Sequence, residues 1–121
     1  MGVFSDTQKR LWPIYGAMQS WGGDTGVRCN VTAKGRVTLY RKNIAAGNLA
    51  ELAFEVKSMA ARAGDTEDGA RAAVNELFLA TGQPVKIDPR HKWPRVGLSK
   101  SEHIDILIAG LERYFDLPSV A

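Results

Sequence analysis

The chain has 121 residues, of which 45% are hydrophobic and 24% charged, and its formal net charge is +3. This length is typical of one domain and suffices to bury a core without disulfides or metals, while the composition argues against global disorder. The single cysteine, Cys29, cannot form an internal disulfide and suits a reducing compartment. Neither a secretory signal nor an apolar stretch near the ~18 residues of a membrane span is present. We therefore expect a cytoplasmic protein, with the Ala, Gly and Arg content favouring a bacterium or its mobile elements.

The first predicted element is a helix. Ser5 followed by Gln8 matches a capping box. Apolar side chains then recur at helical spacing: Leu11, Tyr15 and Met18, with Trp21 as a further candidate. Pro13 predicts either a kink or a helix that begins close to it. The glycines of residues 22–26 are expected to end the helix.

Residues 27–40 predict a β-hairpin. Apolar and polar residues alternate with period 2 on both sides of an AKGR turn at 33–36. The side chains predicted to face the core are Val27, Cys29, Val31, Val37 and Leu39. The opposite face is then polar and basic, and we expect it to be exposed.

Three helices are predicted after the hairpin. Their expected caps are Asn48 with Glu51, Asp65 or Thr66, and Ser99 with Glu102. Their expected ends are Gly64, Gly82 and Pro118. Their apolar stripes are Leu49, Leu52, Ala53, Val56 and Met59, then Val74, Leu77 and Phe78, then Ile104, Leu107, Ile108, Leu111 and Phe115. Three prolines predict a loop before the last helix, with room for a short third strand at 85–87.

Together these elements predict a single α+β domain spanning residues 1–121. Its expected order is an N-terminal helix, a hairpin with or without a third strand, and three helices. The apolar face of the hairpin is expected to pack on the helices.

Patterns for catalysis or metal binding are sparse. The only two histidines, His91 and His103, have eleven residues between them, and neither HExxH nor CxxC occurs. Cys29 lies on the inward side of a predicted strand, so we expect a buried thiol rather than a nucleophile. The glycines of residues 21–26 follow a helix and precede a strand, which is the reverse of the order in phosphate loops. We therefore predict no catalytic residue, no metal and no cofactor.

Residues 58–75 have the outline of a helix-turn-helix motif. The second helix would enter the major groove by its N-terminal end, where Asp65, Glu67 and Asp68 would be repelled by phosphates. A plain helical hairpin is the favoured interpretation.

The basic residues are concentrated in two segments. Residues 28–42 contain five basic and no acidic residues, whereas residues 86–100 contain five basic residues and Asp88. Segregated positive charge attracts anionic partners, and Tyr or Trp side chains can stack on bases. We predict a non-enzymatic nucleic-acid-binding surface on the hairpin and the proline-flanked loop at 88–96. Its predicted residues are Arg28, Lys34, Arg36, Tyr40, Arg41, Lys42, Arg90, Lys92, Trp93 and Arg95.

Two alternatives remain open at this point. In the first, the basic face is only solvated and Trp93 is buried as part of the core. In the second, the chain is a protein-interaction module or inhibitor, or a homo-oligomer, that uses the aromatic first helix with Trp12, Tyr15 and Trp21. We expect no membrane partner.

Overall fold

The computed structural model describes residues 2–29, 35–86 and 93–116. Its elements in chain order are α1 (Val3–Tyr15), β1 (Gln19–Trp21), β2 (Gly26–Arg28), β3 (Val37–Tyr40), β4 (Ala50–Phe54), α2 (Val56–Ala63), α3 (Glu67–Thr81), β5 (Arg95–Leu98) and α4 (Ser101–Tyr114). The strands form one antiparallel sheet in the order β1-β2-β3-β4-β5, and the α2–α3 pair connects β4 to β5. The predicted α+β class is confirmed in a single small domain.

The strand register divides the side chains of the sheet between two faces. One row faces the helices and consists of Val27, Leu39, Leu52 and Val96. The neighbouring row lies on the opposite face and consists of Arg28, Thr38, Ala53 and Arg95. Because side chains alternate along a strand, every second residue of each strand belongs to this second face.

The hydrophobic core lies between the first face of the sheet and the helices. Leu11 of α1 and Leu107 of α4 are fully shielded from solvent, as is Phe54 of β4. Burying one such side chain contributes about 1.5–3 kcal/mol. The stripe predicted for the last helix is confirmed, because all five of its residues are buried. None of the described helices has the length and apolarity needed to cross a membrane.

The first helix begins earlier than predicted. Its N-cap is Gly2, which offers no side-chain hydrogen bond. The hydroxyl of Thr7 donates to the carbonyl of Val3 at 2.6 Å, so Val3 already belongs to the first turn. The predicted capping box of Ser5 and Gln8 is therefore wrong, since both residues lie inside the helix.

The same helix also ends earlier than predicted. Pro13 lies in its last turn, and Gly16 follows with φ +78, a backbone conformation that glycine adopts without a steric penalty. The chain then becomes extended as β1. The predicted continuation of the helix to Trp21 is wrong, because residues 19–21 pair with β2.

Residues 48–63 differ most from the sequence prediction. The predicted helix is instead a strand, β4, followed by the short helix α2. The strand pairs along its two edges with β3 and β5, and side chains on both of its faces are buried, including Ala53. The apolar spacing of the segment fits a helix period, but pairing on both sides outweighs the helix propensity of Ala, Glu and Leu. Leu49, predicted to be inward, is 54% exposed.

The loop prediction for residues 83–98 is correct only in part. Val85 and Lys86 are not in a strand, and Ile87 lies outside the described residues. The strand is instead β5, which forms the edge of the sheet beside β4. Pro94 directly precedes it and accepts a hydrogen bond from the Phe54 N–H at 3.0 Å. A proline is compatible with this place, because it supplies only an acceptor to the neighbouring strand.

The helical hairpin of α2 and α3 is confirmed, together with the predicted helix ends at Gly64 and Gly82 and the predicted start of α3. Gly64 and Gly82 end the two helices in the left-handed conformation. The Thr66 hydroxyl accepts from the Gly69 N–H at 3.0 Å and caps α3.

In α4 the N-cap is Lys100, without a side-chain hydrogen bond, so the predicted cap at Ser99 is wrong. Pro118 lies outside the described residues.

Candidate functional site

The hairpin of β2 and β3 is confirmed and presents two arginines at its closed end. Arg28 ends β2 on the second face of the sheet, opposite Thr38. Arg36 directly precedes β3, and both arginine residues are exposed. Residues 30–34, which lie between these two arginines in the sequence, are outside the described residues, and Val31 and Lys34 are among them.

The first turn of α2 packs against this end of the hairpin. The Arg36 N–H donates to the Ser58 hydroxyl at 3.1 Å, and the Arg36 carbonyl accepts from the Glu55 N–H at 3.1 Å. These contacts bring exposed Lys57 to the same end of the sheet. Its carboxylate neighbour Glu55 is half-buried. Sequence patterns do not single out Lys57, because it lies in neither basic segment and in a stretch predicted as one long helix.

Arg41 and Lys42 lie at the other end of β3. Their backbone N–H groups both donate to the Thr25 carbonyl, at 2.8 and 3.1 Å, which fixes them against the turn between β1 and β2. The Arg41 guanidinium lies 4.4 Å from the centre of the Phe4 ring. Lys42 Nζ is 3.8 Å from Asp24 Oδ2, an exposed pair of the kind that contributes at most about 1 kcal/mol.

Two residues predicted to contact nucleic acid are buried instead. Tyr40 is 6% exposed and Arg95 is 5% exposed. Both belong to the second face, on which residues 43–48 and 83–86 pack, and the Arg95 Cζ lies 4.0 Å from the centre of the Tyr40 ring. The predicted exposure of both side chains is wrong. The two basic segments do meet at this pair, but in the interior rather than on the surface.

A buried carboxylate holds this region together. Glu51 is fully shielded and accepts hydrogen bonds from the Ala45 N–H at 2.6 Å, the Asn48 amide at 2.8 Å and the Lys86 N–H at 3.1 Å. Arg95 Nη1 donates to Glu51 Oε1 at 3.1 Å. These four donors offset the cost of removing the carboxylate from water. The sequence suggested only a helix cap for Glu51.

The Arg95 side chain makes one further hydrogen bond, to the residue that follows Arg41 and Lys42 after β3. Its Nη1 also donates to the Asn43 carbonyl at 3.0 Å. Asn43 follows Lys42 directly and has φ +58, the left-handed conformation that non-glycine residues seldom adopt. Arg95 Nε and Asn48 Oδ1 are buried without a hydrogen-bond partner.

The structure describes only some of the remaining residues that were predicted in the basic loop. Arg90 and Lys92 lie outside the described residues, as does His91. Trp93 is half-buried. Within the described residues, the exposed part of the predicted surface therefore comes from the hairpin and not from the loop.

Aromatic residues of the first helix separate into core and surface. Tyr15 is 3% exposed and packs edge-on against Phe115, with ring centres 6.3 Å apart. Its hydroxyl has no hydrogen-bond partner, and burial raises the pKa of Tyr15 above its usual value. Trp12 is 61% exposed. An interaction surface on this helix would use Trp12 and not Tyr15.

The described residues offer little for catalysis or for a cofactor. The Cys29 thiol is buried, as expected, and its sulfur accepts from the Val37 N–H at 3.3 Å. Within residues 2–29, 35–86 and 93–116, no three His, Cys, Asp or Glu side chains are grouped to hold a metal ion. A cleft of about 200 Å³ lies between α2, α3 and α4 above Leu77 and Gly110. Its volume is below the ~300 Å³ at which pockets for drug-sized ligands begin.

Comparisons with protein-family models, with curated proteins and with solved structures gave no match.

Proposed function

We propose that the protein binds nucleic acid through the phosphate backbone, using exposed basic side chains at the two ends of the hairpin. The described members of this surface, called the basic hairpin below, are Arg28, Arg36, Arg41 and Lys42 from the hairpin and its flanks, and Lys57 from the first turn of α2. The observation that carries the proposal is the charge of this part of the chain. From residue 25 to residue 50 the sequence has no acidic residue, and the next carboxylate, Glu51, is buried among its own donors.

This geometry supports binding without base recognition. Lysine and arginine displace counterions from phosphates whatever the base sequence. Burial of Tyr40 removes the predicted stacking platform on the hairpin. Arg36 and Arg41 are five residue steps apart along the extended chain, or roughly 17 Å. That length corresponds to about five nucleotides of one B-form strand at ~3.4 Å each.

The test measures the affinity of fluorescent single-stranded and double-stranded oligonucleotides by anisotropy between about 50 and 200 mM salt. We expect log affinity to fall linearly with log salt. The Arg28→Gln/Arg36→Gln variant should weaken binding to all sequences and reduce the duplex slope by about 0.9 per lost phosphate contact.

A matched control is Arg62→Gln/Arg71→Gln, which removes two exposed charges from α2 and α3. An equal loss in the control would show that net charge, and not the basic hairpin, drives binding. Failure of the unmodified chain to bind either oligonucleotide would overturn the proposal.

A second candidate function is protein binding through the first helix. The supporting observation is Trp12, a large aromatic side chain of α1 that is 61% exposed. Tryptophan is enriched at the energetic centres of protein interfaces. Capture of a specific protein that survives high salt, and that is lost in Trp12→Ala but not in the equally exposed control Leu79→Ala, would favour this function. Salt-sensitive capture that is indifferent to Trp12 would count against it.

A further inference from the structure

We infer that Arg95 is a positioning residue for the basic hairpin: together with Glu51 it fixes the loop that carries Arg41 and Lys42, and it does not contact the bound partner. This inference rests on the proposed function for its role in binding. The fixing of the loop itself rests on geometry alone.

The hydrogen bond from Arg95 to the Asn43 carbonyl is the first evidence that Arg95 fixes this loop. The residue directly after Lys42 is held in a left-handed conformation, at φ +58, by a hydrogen bond from a buried guanidinium to its carbonyl. Asparagine adopts this conformation more readily than other non-glycine residues, so the conformation alone does not require Arg95. The hydrogen bond, however, ties the chain that leaves Lys42 to a buried side chain.

The carboxylate of Glu51 secures the remainder of the loop. It accepts from the Ala45 N–H and from the Asn48 side chain, whose amide also donates to the Pro84 carbonyl at 2.8 Å. On the other side, the Thr25 carbonyl accepts from the backbone of Arg41 and Lys42. The loop is thus anchored before and after its two cations.

The shape of the arginine side chain is needed for this role. One guanidinium nitrogen reaches Asn43 and Glu51 together, while the flat group lies over the Tyr40 ring. A lysine keeps the positive charge but lacks the planar fork and its stacking. Charge and positioning can therefore be separated by Arg95→Lys.

The experiment compares the unmodified chain with Arg95→Lys and Arg95→Met by amide hydrogen exchange and by the oligonucleotide assay. We expect exchange of the Ala45 amide to accelerate ~10-fold or more in both variants, as for local opening. Amides of the α3 core, such as that of Val74, serve as the control for global unfolding. We also expect weaker oligonucleotide binding in both variants.

A double-mutant cycle with Lys42→Gln distinguishes positioning from direct contact. If Arg95 acts through the loop, adding Lys42→Gln to Arg95→Met costs less affinity than Lys42→Gln costs in the unmodified chain. Additive losses, or full rescue of binding by Arg95→Lys, would mean that the Arg95 charge itself meets the partner.

The outcomes for the loop and for the proposed function are separable. Unchanged exchange at Ala45 overturns the inference whatever the binding data show. Faster exchange with unchanged affinity overturns the positioning role. A chain that binds no oligonucleotide overturns the proposed function and the positioning role with it, whereas exchange at Ala45 still decides whether Arg95 fixes the loop.

Discussion

The backbone N–H of Ser99 donates a hydrogen bond to Nδ1 of His103 across the first turn of α4, at 3.0 Å. Since Nδ1 is the acceptor, it carries no proton in this arrangement. The His103 side chain is buried, and burial lowers the pKa of its imidazole. The charge of Lys100 lowers that pKa further, whereas Glu102 opposes both effects. An uncharged imidazole also suits a helix N-terminus, where positive charge is unfavourable.

The first prediction follows from this depressed pKa. Unfolded His103 binds a proton with a pKa near 6.5 and folded His103 only at lower pH. In that window the unfolded state holds more protons, so stability rises with pH. The contribution is fully present above about pH 6.5 and is lost as pH falls through the folded pKa. Urea unfolding measured across this range should show the free energy of unfolding decreasing as pH falls.

The matched variant for this experiment is His103→Asn. Its side-chain oxygen can accept from the Ser99 N–H, but it does not titrate. The difference in free energy of unfolding between the two proteins should therefore grow in favour of the variant at low pH. His91→Gln is the control for the other histidine of the chain. A His103→Asn variant that keeps the full pH dependence would refute the assignment.

The second prediction concerns the buried ion pair of Glu51 and Arg95. Glu51→Ala leaves the guanidinium in the interior without its charge partner, and the expected destabilisation is about 3–5 kcal/mol. Replacing both residues together, as Glu51→Leu/Arg95→Met, removes the uncompensated charge and should cost much less than the single change. Guanidinium chloride unfolding of the three proteins measures the difference. Equal losses in the single and double variants would show that the pair is not the source of the effect.

The third prediction tests the strand assignment of β4. Leu52 is fully shielded, whereas Leu49 is 54% exposed. Leu52→Ala should therefore destabilise the protein by about 2–5 kcal/mol, and Leu49→Ala by less than about 0.5 kcal/mol. A helix over residues 48–63 would place both leucines on one apolar stripe and give comparable losses. Urea unfolding of the two variants thus separates the strand from the helix.

Local sequence patterns correctly predict those elements whose conformation depends on short-range interactions. Thr66, Gly64 and Gly82 mark the ends of α2 and α3 because capping and left-handed glycine are short-range effects. The hairpin of β2 and β3 was also predictable, since its period-2 alternation places Val27 and Leu39 on one face. The strand β4 was not predictable in this way. Its conformation depends on partners on both sides, one of which is more than 40 residues distant in the sequence.

The candidate site was predictable only as a set of charges. Arg28 and Arg36 are exposed as expected. Arg95 and Tyr40 were predicted beside them, but their burial follows from the pairing of β3, β4 and β5, which the sequence did not reveal. Glu51 was indistinguishable from a helix cap until β4 brought it beside a buried guanidinium.

The fourth prediction concerns Tyr114 and Asp65. The Tyr114 hydroxyl donates to Asp65 Oδ2 at 3.0 Å. Burial raises the pKa of Tyr114 to about 12, and the hydrogen bond and the charge of Asp65 contribute to the increase. The folded pKa lies above the unfolded value of 10.0, so this contribution to stability is complete below about pH 10 and is lost as pH rises through about 12.

Spectroscopic titration of tyrosinate, with Tyr114→Phe subtracted, measures this pKa directly. Asp65→Asn should lower the pKa of Tyr114, because the neutral amide no longer disfavours the phenolate by its charge. Burial remains in that variant, so the pKa should stay above the ordinary value for tyrosine. The control is Asp68→Asn, which neutralises an exposed acid in the first turn of α3. A Tyr114 pKa that is the same in the unmodified chain and in Asp65→Asn would exclude a role for the charge of Asp65.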